Sequence, residues 1–155
     1  MHIEPLVFTE QYVERIWGGR RFEELFGLPL PEGKRSGDVW AVADHPSAES
    51  MVGAGAYKGQ TLRQLSELDA RYILGSRPAL TPHGRFPLLL KMLDASDTLS
   101  VQVHPDDETA HQLGEPDVGK TEMWHVLDAA PGSQLICGLD PAATAEDLEQ
   151  AISDQ

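Results

Sequence analysis

The alternation of apolar and polar positions is sharpest between residues 98 and 107. Leu99, Val101 and Val103 alternate with Ser100, Gln102 and His104, which is the period of a half-buried strand. Pro105 cannot continue a hydrogen-bonded ladder, so the spacing predicts a strand that ends before Asp106 and Asp107. One face is apolar, and the other aligns a hydroxyl, an amide and an imidazole. Such a face is either the wet side of an antiparallel sheet or a holder for a metal or polar ligand. Residues 86–95 read differently, as a strand apolar on both faces and therefore fully buried, interrupted only by Lys91. Shorter apolar runs predict strands at 6–8, 39–43, 121–127 and 133–137.

Helical patterns fall between these strands. Residues 20–26 form a short helix stopped by Gly27, and residues 106–113 form one capped by Asp106 or Asp107 and ended by Gly114. Thr61 with Gln64 has the form of a capping box, followed by the stripe Leu62, Leu65, Leu68 and Ile73, with Gly75 as the stop. Thr144 caps a last helix over 144–153 that turns Leu148 and Ile152 inward. The elements together predict a mainly β chain with a few helices, in a single domain over residues 1–155.

Composition narrows the function. The 155 residues are 41% hydrophobic and 24% charged, an ordinary globular balance. Twelve basic against 25 acidic residues leave a net charge of −13, which excludes nucleic acid and anionic membrane surfaces as partners. An anionic substrate then requires a locally basic pocket. The single cysteine, Cys137, rules out an internal disulfide. With no leader pattern and no membrane-length apolar run, a cytoplasmic location is expected.

Four groups of residues are candidates for chemistry. Lys91 places an ammonium in a buried run, where desolvation costs several kcal/mol unless the charge is paired or faces a polar interior. Trp17 beside Gly18 and Gly19 either floors a pocket or packs in the core. The stretch 114–121 matches the phosphate-binding G-x-x-x-x-G-K-T pattern, but its context is reversed, helix before and strand after. Glu115 and Asp117 would also repel the phosphates, so a nucleotide-binding loop is rejected. On a strand from residue 120, Lys120, Glu122 and Trp124 share one face. Glu122 with Gln102 and His104 makes a nitrogen and oxygen donor set for a divalent metal, best suited to zinc and open to manganese or cobalt. His45 and His83, beside proline and glycine, are expected in loops.

The segment Trp17-Gly18-Gly19, the run 86–95, the motif 100–107 and the motif 119–124 together resemble the type I mannose-6-phosphate isomerase family. These are zinc-dependent cupins. The resemblance implies a cupin (jelly-roll) barrel, of which this chain holds the N-terminal part, its strands mainly in 86–138. It implies Zn2+, one per chain, on Gln102, His104 and Glu122, with Lys91 and Lys120 as catalytic residues and Trp17 and Ser100 around the sugar phosphate substrate. The family interconverts mannose 6-phosphate and fructose 6-phosphate through a cis-enediol, a reaction in which negative charge grows on oxygen and favours a metal or an ammonium nearby. The base is open between a metal-bound water and a lysine. The family's later histidine ligand and arginine have no matching position here; His111 lies on a surface-like helix and His125 faces away from Glu122. The barrel is therefore expected to be incomplete, with open strand edges that favour a homo-oligomer. The alternative to an isomerase is a non-catalytic cupin module that binds metal or sugar phosphate.

Overall fold

The computed structural model describes residues 4–76 and 80–154, and the chain divides into two compact units, Met1–Lys120 and Thr121–Gln155. The first unit is organised on strand β2 (Asp38–Val42), because its Val39 and Trp40 are both buried. β2 lies between β1 (Gln11–Val13) and β5 (Leu90–Leu93), antiparallel to each, in a three-stranded sheet of order β1-β2-β5. The register sets Asp38 opposite Leu93 and Trp40 opposite Lys91. A two-stranded hairpin follows, β3 (Asp44–His45) with β4 (Ala48–Glu49).

The helix signals are where the sequence places them. α1 (Arg21–Phe26) is closed by Gly27 and buries Phe22. α2 (Leu62–Leu68) carries the full capping box, with Gln64 N–H donating to Thr61 Oγ1 at 3.2 Å and Thr61 N–H to Gln64 Oε1 at 2.9 Å. Leu62 and Leu65 face the core beside Val52, whereas Leu68 is exposed. The stripe does not continue as one helix: Asp69 ends α2 and caps α3 (Ala70–Leu74), accepting from Tyr72 N–H at 3.0 Å. A carboxylate that offers the backbone a competing acceptor favours a cap over a helix interior.

α4 (Asp107–Leu113) starts at Asp106, which accepts from Thr109 N–H at 2.8 Å, and closes at Gly114. That backbone bond, with a second from the Thr109 hydroxyl, holds the Asp106 carboxyl below the usual aspartate range. The cap therefore contributes above the pKa of an unfolded aspartate and is lost as pH falls through the lowered folded value. A pH titration of the Thr109 amide resonance is expected to change at a lower midpoint than that of an uncapped aspartate; an unshifted midpoint would contradict the cap.

The strands differ from expectation. The entry stretch 6–8 contributes a single bridge, Phe8 with Val52, and β1 lies further on. Of 86–95, only Leu90–Leu93 joins the sheet, and Leu88, Leu89 and Leu90 are exposed. Among the described residues β5 pairs with β2 alone, so the run is covered from one side. Residues 98–104, 121–127 and 133–137 form no ladder, and Val101 and Val103 are 71% and 78% exposed. Alternation fixes which side a residue takes, while a strand also needs a neighbour that meets its N–H and C=O groups. The barrel strands expected across 86–138 thus reduce to β5, and no closed barrel exists among the described residues.

The second unit contains α5 (Ala145–Ser153), with a capping box between Thr144 and Asp147. Ile152, expected to face inward, is exposed. Among the described residues no helix is long and apolar enough to cross a membrane.

Candidate active site

The two motifs that frame the candidate site meet through their backbones. Gly119 N–H donates to Asp107 Oδ1 at 3.0 Å, and Lys120 N–H donates to the Pro105 carbonyl at 3.0 Å. This approach depends on glycine, since a Cβ on Gly119 would lie 2.5 Å from Asp107 N and 2.7 Å from Pro105 O. Gly119→Ala is expected to part the two segments and to cost about 1–3 kcal/mol, the range for overpacking. Urea denaturation measures it, and an unchanged midpoint with unchanged slope would show that the approach is not needed. The glycine and lysine that imitate a nucleotide-binding loop serve this junction instead.

Its product is a contact between two of the candidate residues. Lys120 Nζ lies 3.2 Å from His104 Nε2. An ammonium can only donate, so in a hydrogen bond between them Nε2 is the acceptor. Two residues upstream, Gln102 Nε2 donates to Ser100 Oγ at 3.1 Å, so the side-by-side placement read from the alternation holds without a ladder. In the second unit, Trp124 Nε1 donates to Glu122 Oε1 at 3.0 Å, again two residues apart on one face.

The donor chemistry fits a zinc ion. Gln102 directs its amide nitrogen to Ser100, which leaves the carbonyl oxygen as its metal-binding atom. His104 offers imidazole nitrogen, and Glu122 a carboxylate. Among the described residues no group of three or more His, Cys, Asp or Glu side chains is placed to hold a metal.

Lys91 stands on β5, diagonal to Asp38 across the sheet, on the face that Asp38 and Trp40 share. Its Nζ is 3.4 Å from Asp38 Oδ1, while Arg15 Nε donates to Asp38 Oδ2 at 2.8 Å. The Asp38 side chain is buried and that of Lys91 is one quarter exposed, 25%. The polar surroundings expected for a lysine in an apolar strand are therefore supplied by Asp38. Sequence reasoning passed over both Asp38 and Arg15. The available signal was the aspartate heading the apolar run 39–43, a buried carboxylate in want of a cation.

Trp17 is half-buried and lies against backbone: a Cβ on Gly37 would be 2.7 Å from its Cζ3 atom, and its carbonyl accepts from Ser96 N–H at 2.9 Å. His45, expected in a loop, belongs to β3. It meets Trp40 edge-on at 5.5 Å, and its Nε2 is 3.9 Å from Asp117 Oδ2. His83 lies in a turn, as expected.

Residues 6–123 match the family model of the phosphomannose isomerase type I catalytic domain. The chain is 44% identical over 154 residues to a mannose-6-phosphate isomerase of Bacillus subtilis, covering 98% of this chain and 46% of that protein. To the mannose-6-phosphate isomerase of Streptococcus mutans it is 41% identical over 150 residues, covering 97% and 45%. The crystal structure of the mannose 6-phosphate isomerase from Bacillus subtilis superposes with a TM-score of 0.64 at 37% identity, covering 74% of this chain and 35% of that one. This chain spans less than half the length of these relatives.

Proposed function

The chain belongs to the type I phosphomannose isomerase family, and we propose that it carries the metal- and sugar-phosphate-holding part of a mannose-6-phosphate isomerase, the first part of a cupin barrel. The observation that supports this most is the backbone junction that sets Lys120 against His104. In this reading Gln102, His104 and Glu122 hold one Zn2+ per chain. When bound, the ion polarises a carbonyl oxygen and stabilises negative charge on it.

The remaining chemistry falls to the chain's own side chains. Moving a proton between C1 and C2 turns a carbonyl into an enediolate, and the charge that grows on oxygen is met by an ammonium more strongly than the uncharged carbonyl is. Lys91 and Lys120 supply two such ammonium groups, for the enediolate or for the phosphate, on a chain whose net charge of −13 otherwise repels an anion. Ser100 offers a hydroxyl, and Trp17 an apolar wall. The edge of β5 left unpaired among the described residues and the exposed Val101 and Val103 favour association with a second copy.

Fructose 6-phosphate formation from mannose 6-phosphate, with zinc added and then chelated, tests the proposal. Zinc-dependent turnover would mean that local residues or a second copy replace the family's later histidine and arginine, which have no matching position in this chain. Folded, zinc-loaded protein that binds mannose 6-phosphate without converting it would be an inactive part of an isomerase or a non-catalytic binding module, and protein that does not bind it would overturn the proposal.

A further inference from the structure

We propose that Asp38 is a positioning residue for Lys91. Asp38 sits on the central strand of its sheet, where pairing on both sides fixes the backbone. Its carbonyl accepts from the Ser36 hydroxyl at 2.7 Å, which holds the strand entry as well. The carboxylate is divided between two cations. Oδ2 takes the Arg15 hydrogen bond at 2.8 Å, and Oδ1 faces the Lys91 ammonium at 3.4 Å.

The two contacts are unequal in kind. A charge-assisted hydrogen bond between ammonium and carboxylate runs at about 2.7–2.9 Å. The Arg15 contact has that length, whereas the Lys91 contact is longer, and Oδ1 is a buried atom with no hydrogen-bond partner among the described residues. Asp38 therefore attracts Lys91 without consuming its N–H donors. The long side chain is drawn to one place by charge, yet its three donors stay available to a ligand oxygen. A buried acceptor left short of a full hydrogen bond is costly, and the cost is understandable where the cation must be shared with a substrate. Trp40, which faces Lys91 across the ladder, also keeps a buried Nε1–H without a partner. This face of the sheet thus holds polar groups that the described residues leave unsatisfied.

The substrate half of this inference rests on the isomerase reading, while the geometric half does not. Asp38→Asn keeps the shape and removes the charge. Amine-directed labelling, read at each lysine by mass spectrometry on the zinc-loaded chain, should show Lys91 labelled several-fold faster in this variant. The exposed Lys58 serves as reference and should be unchanged. If Asp38 only supports the fold, Lys58, Lys91 and Lys120 would quicken together. Arg15→Gln gives the opposite sign and covers the case in which Asp38→Asn does not fold: with the competing cation gone, Lys91 should label more slowly. Unchanged Lys91 labelling in either folded variant overturns the proposal. Mannose 6-phosphate affinity then reads the substrate half, with about a tenfold loss expected in Asp38→Asn, the equivalent of 1.4 kcal/mol. A labelling change in a protein whose wild type does not bind mannose 6-phosphate would uphold the positioning and overturn the isomerase reading alone.

Discussion

His104→Ala is expected to weaken zinc binding by at least about a hundredfold, because changes merely behind a metal's ligands already cost about 10–100-fold. Of the proposed ligands, His104 brings the imidazole; without it the ion is left to a neutral amide oxygen and one carboxylate. Glu122→Ala should produce a loss of similar size by removing the charge that offsets the ion's own. Lys120→Met is the informative contrast. It removes the ammonium 3.2 Å from His104 Nε2 and leaves every proposed ligand in place, so zinc affinity should hold or rise. Competition with a chromophoric zinc indicator measures all three. Unchanged affinity in His104→Ala would remove His104 from the ligand set.

Asp44→Ala is expected to be the most damaging substitution for the fold, at about 3–5 kcal/mol, because it deletes a buried carboxylate that takes two charge-assisted hydrogen bonds of about 1.5–3 kcal/mol each. The Asp44 side chain has no exposed surface, and it joins three parts of the first unit. From β3, Oδ1 takes Arg63 of α2 at 2.7 Å, and Oδ2 takes the backbone N–H of Phe86 at 2.8 Å, on the approach to β5. Burial opposes the charge of Arg63, yet the hydrogen bond and charge of Asp44, with Glu49, keep its pKa above the ordinary arginine value. Alanine would leave the guanidinium the 3.3 Å contact to Glu49 and the charge of Glu67, and would orphan the Phe86 amide. Chemical denaturation of Asp44→Ala against wild type provides the value, and a loss below about 1 kcal/mol, the scale of an exposed pair, would mean that solvent replaces the carboxylate.

What could be read from the sequence follows the range of the forces involved. Helix caps act within three or four residues, so Thr61, Asp106 and Thr144 announced α2, α4 and α5. The placement of Ser100 beside Gln102 and of Glu122 beside Trp124 is equally local, two residues along one face. Ladders are not local. Val101 and Val103 have the right period, but no partner strand meets them among the described residues. Lys91 shows the boundary most clearly. Its sequence surroundings demanded a counter-charge, but Asp38 lies 53 positions earlier, and only the β2–β5 register connects them. The contact of His104 with Lys120 was hidden for another reason, since it arises from a glycine's missing Cβ at 119, which in sequence imitated a phosphate loop.

The most direct test of the central claim, that the two motifs joined at the His104–Lys120 contact hold zinc and a sugar phosphate, is calorimetric titration of mannose 6-phosphate into zinc-loaded and chelated protein. Binding is expected to require zinc and to be weakened by Lys120→Met. Binding of equal strength after chelation, or no binding by folded, zinc-loaded protein, would contradict it.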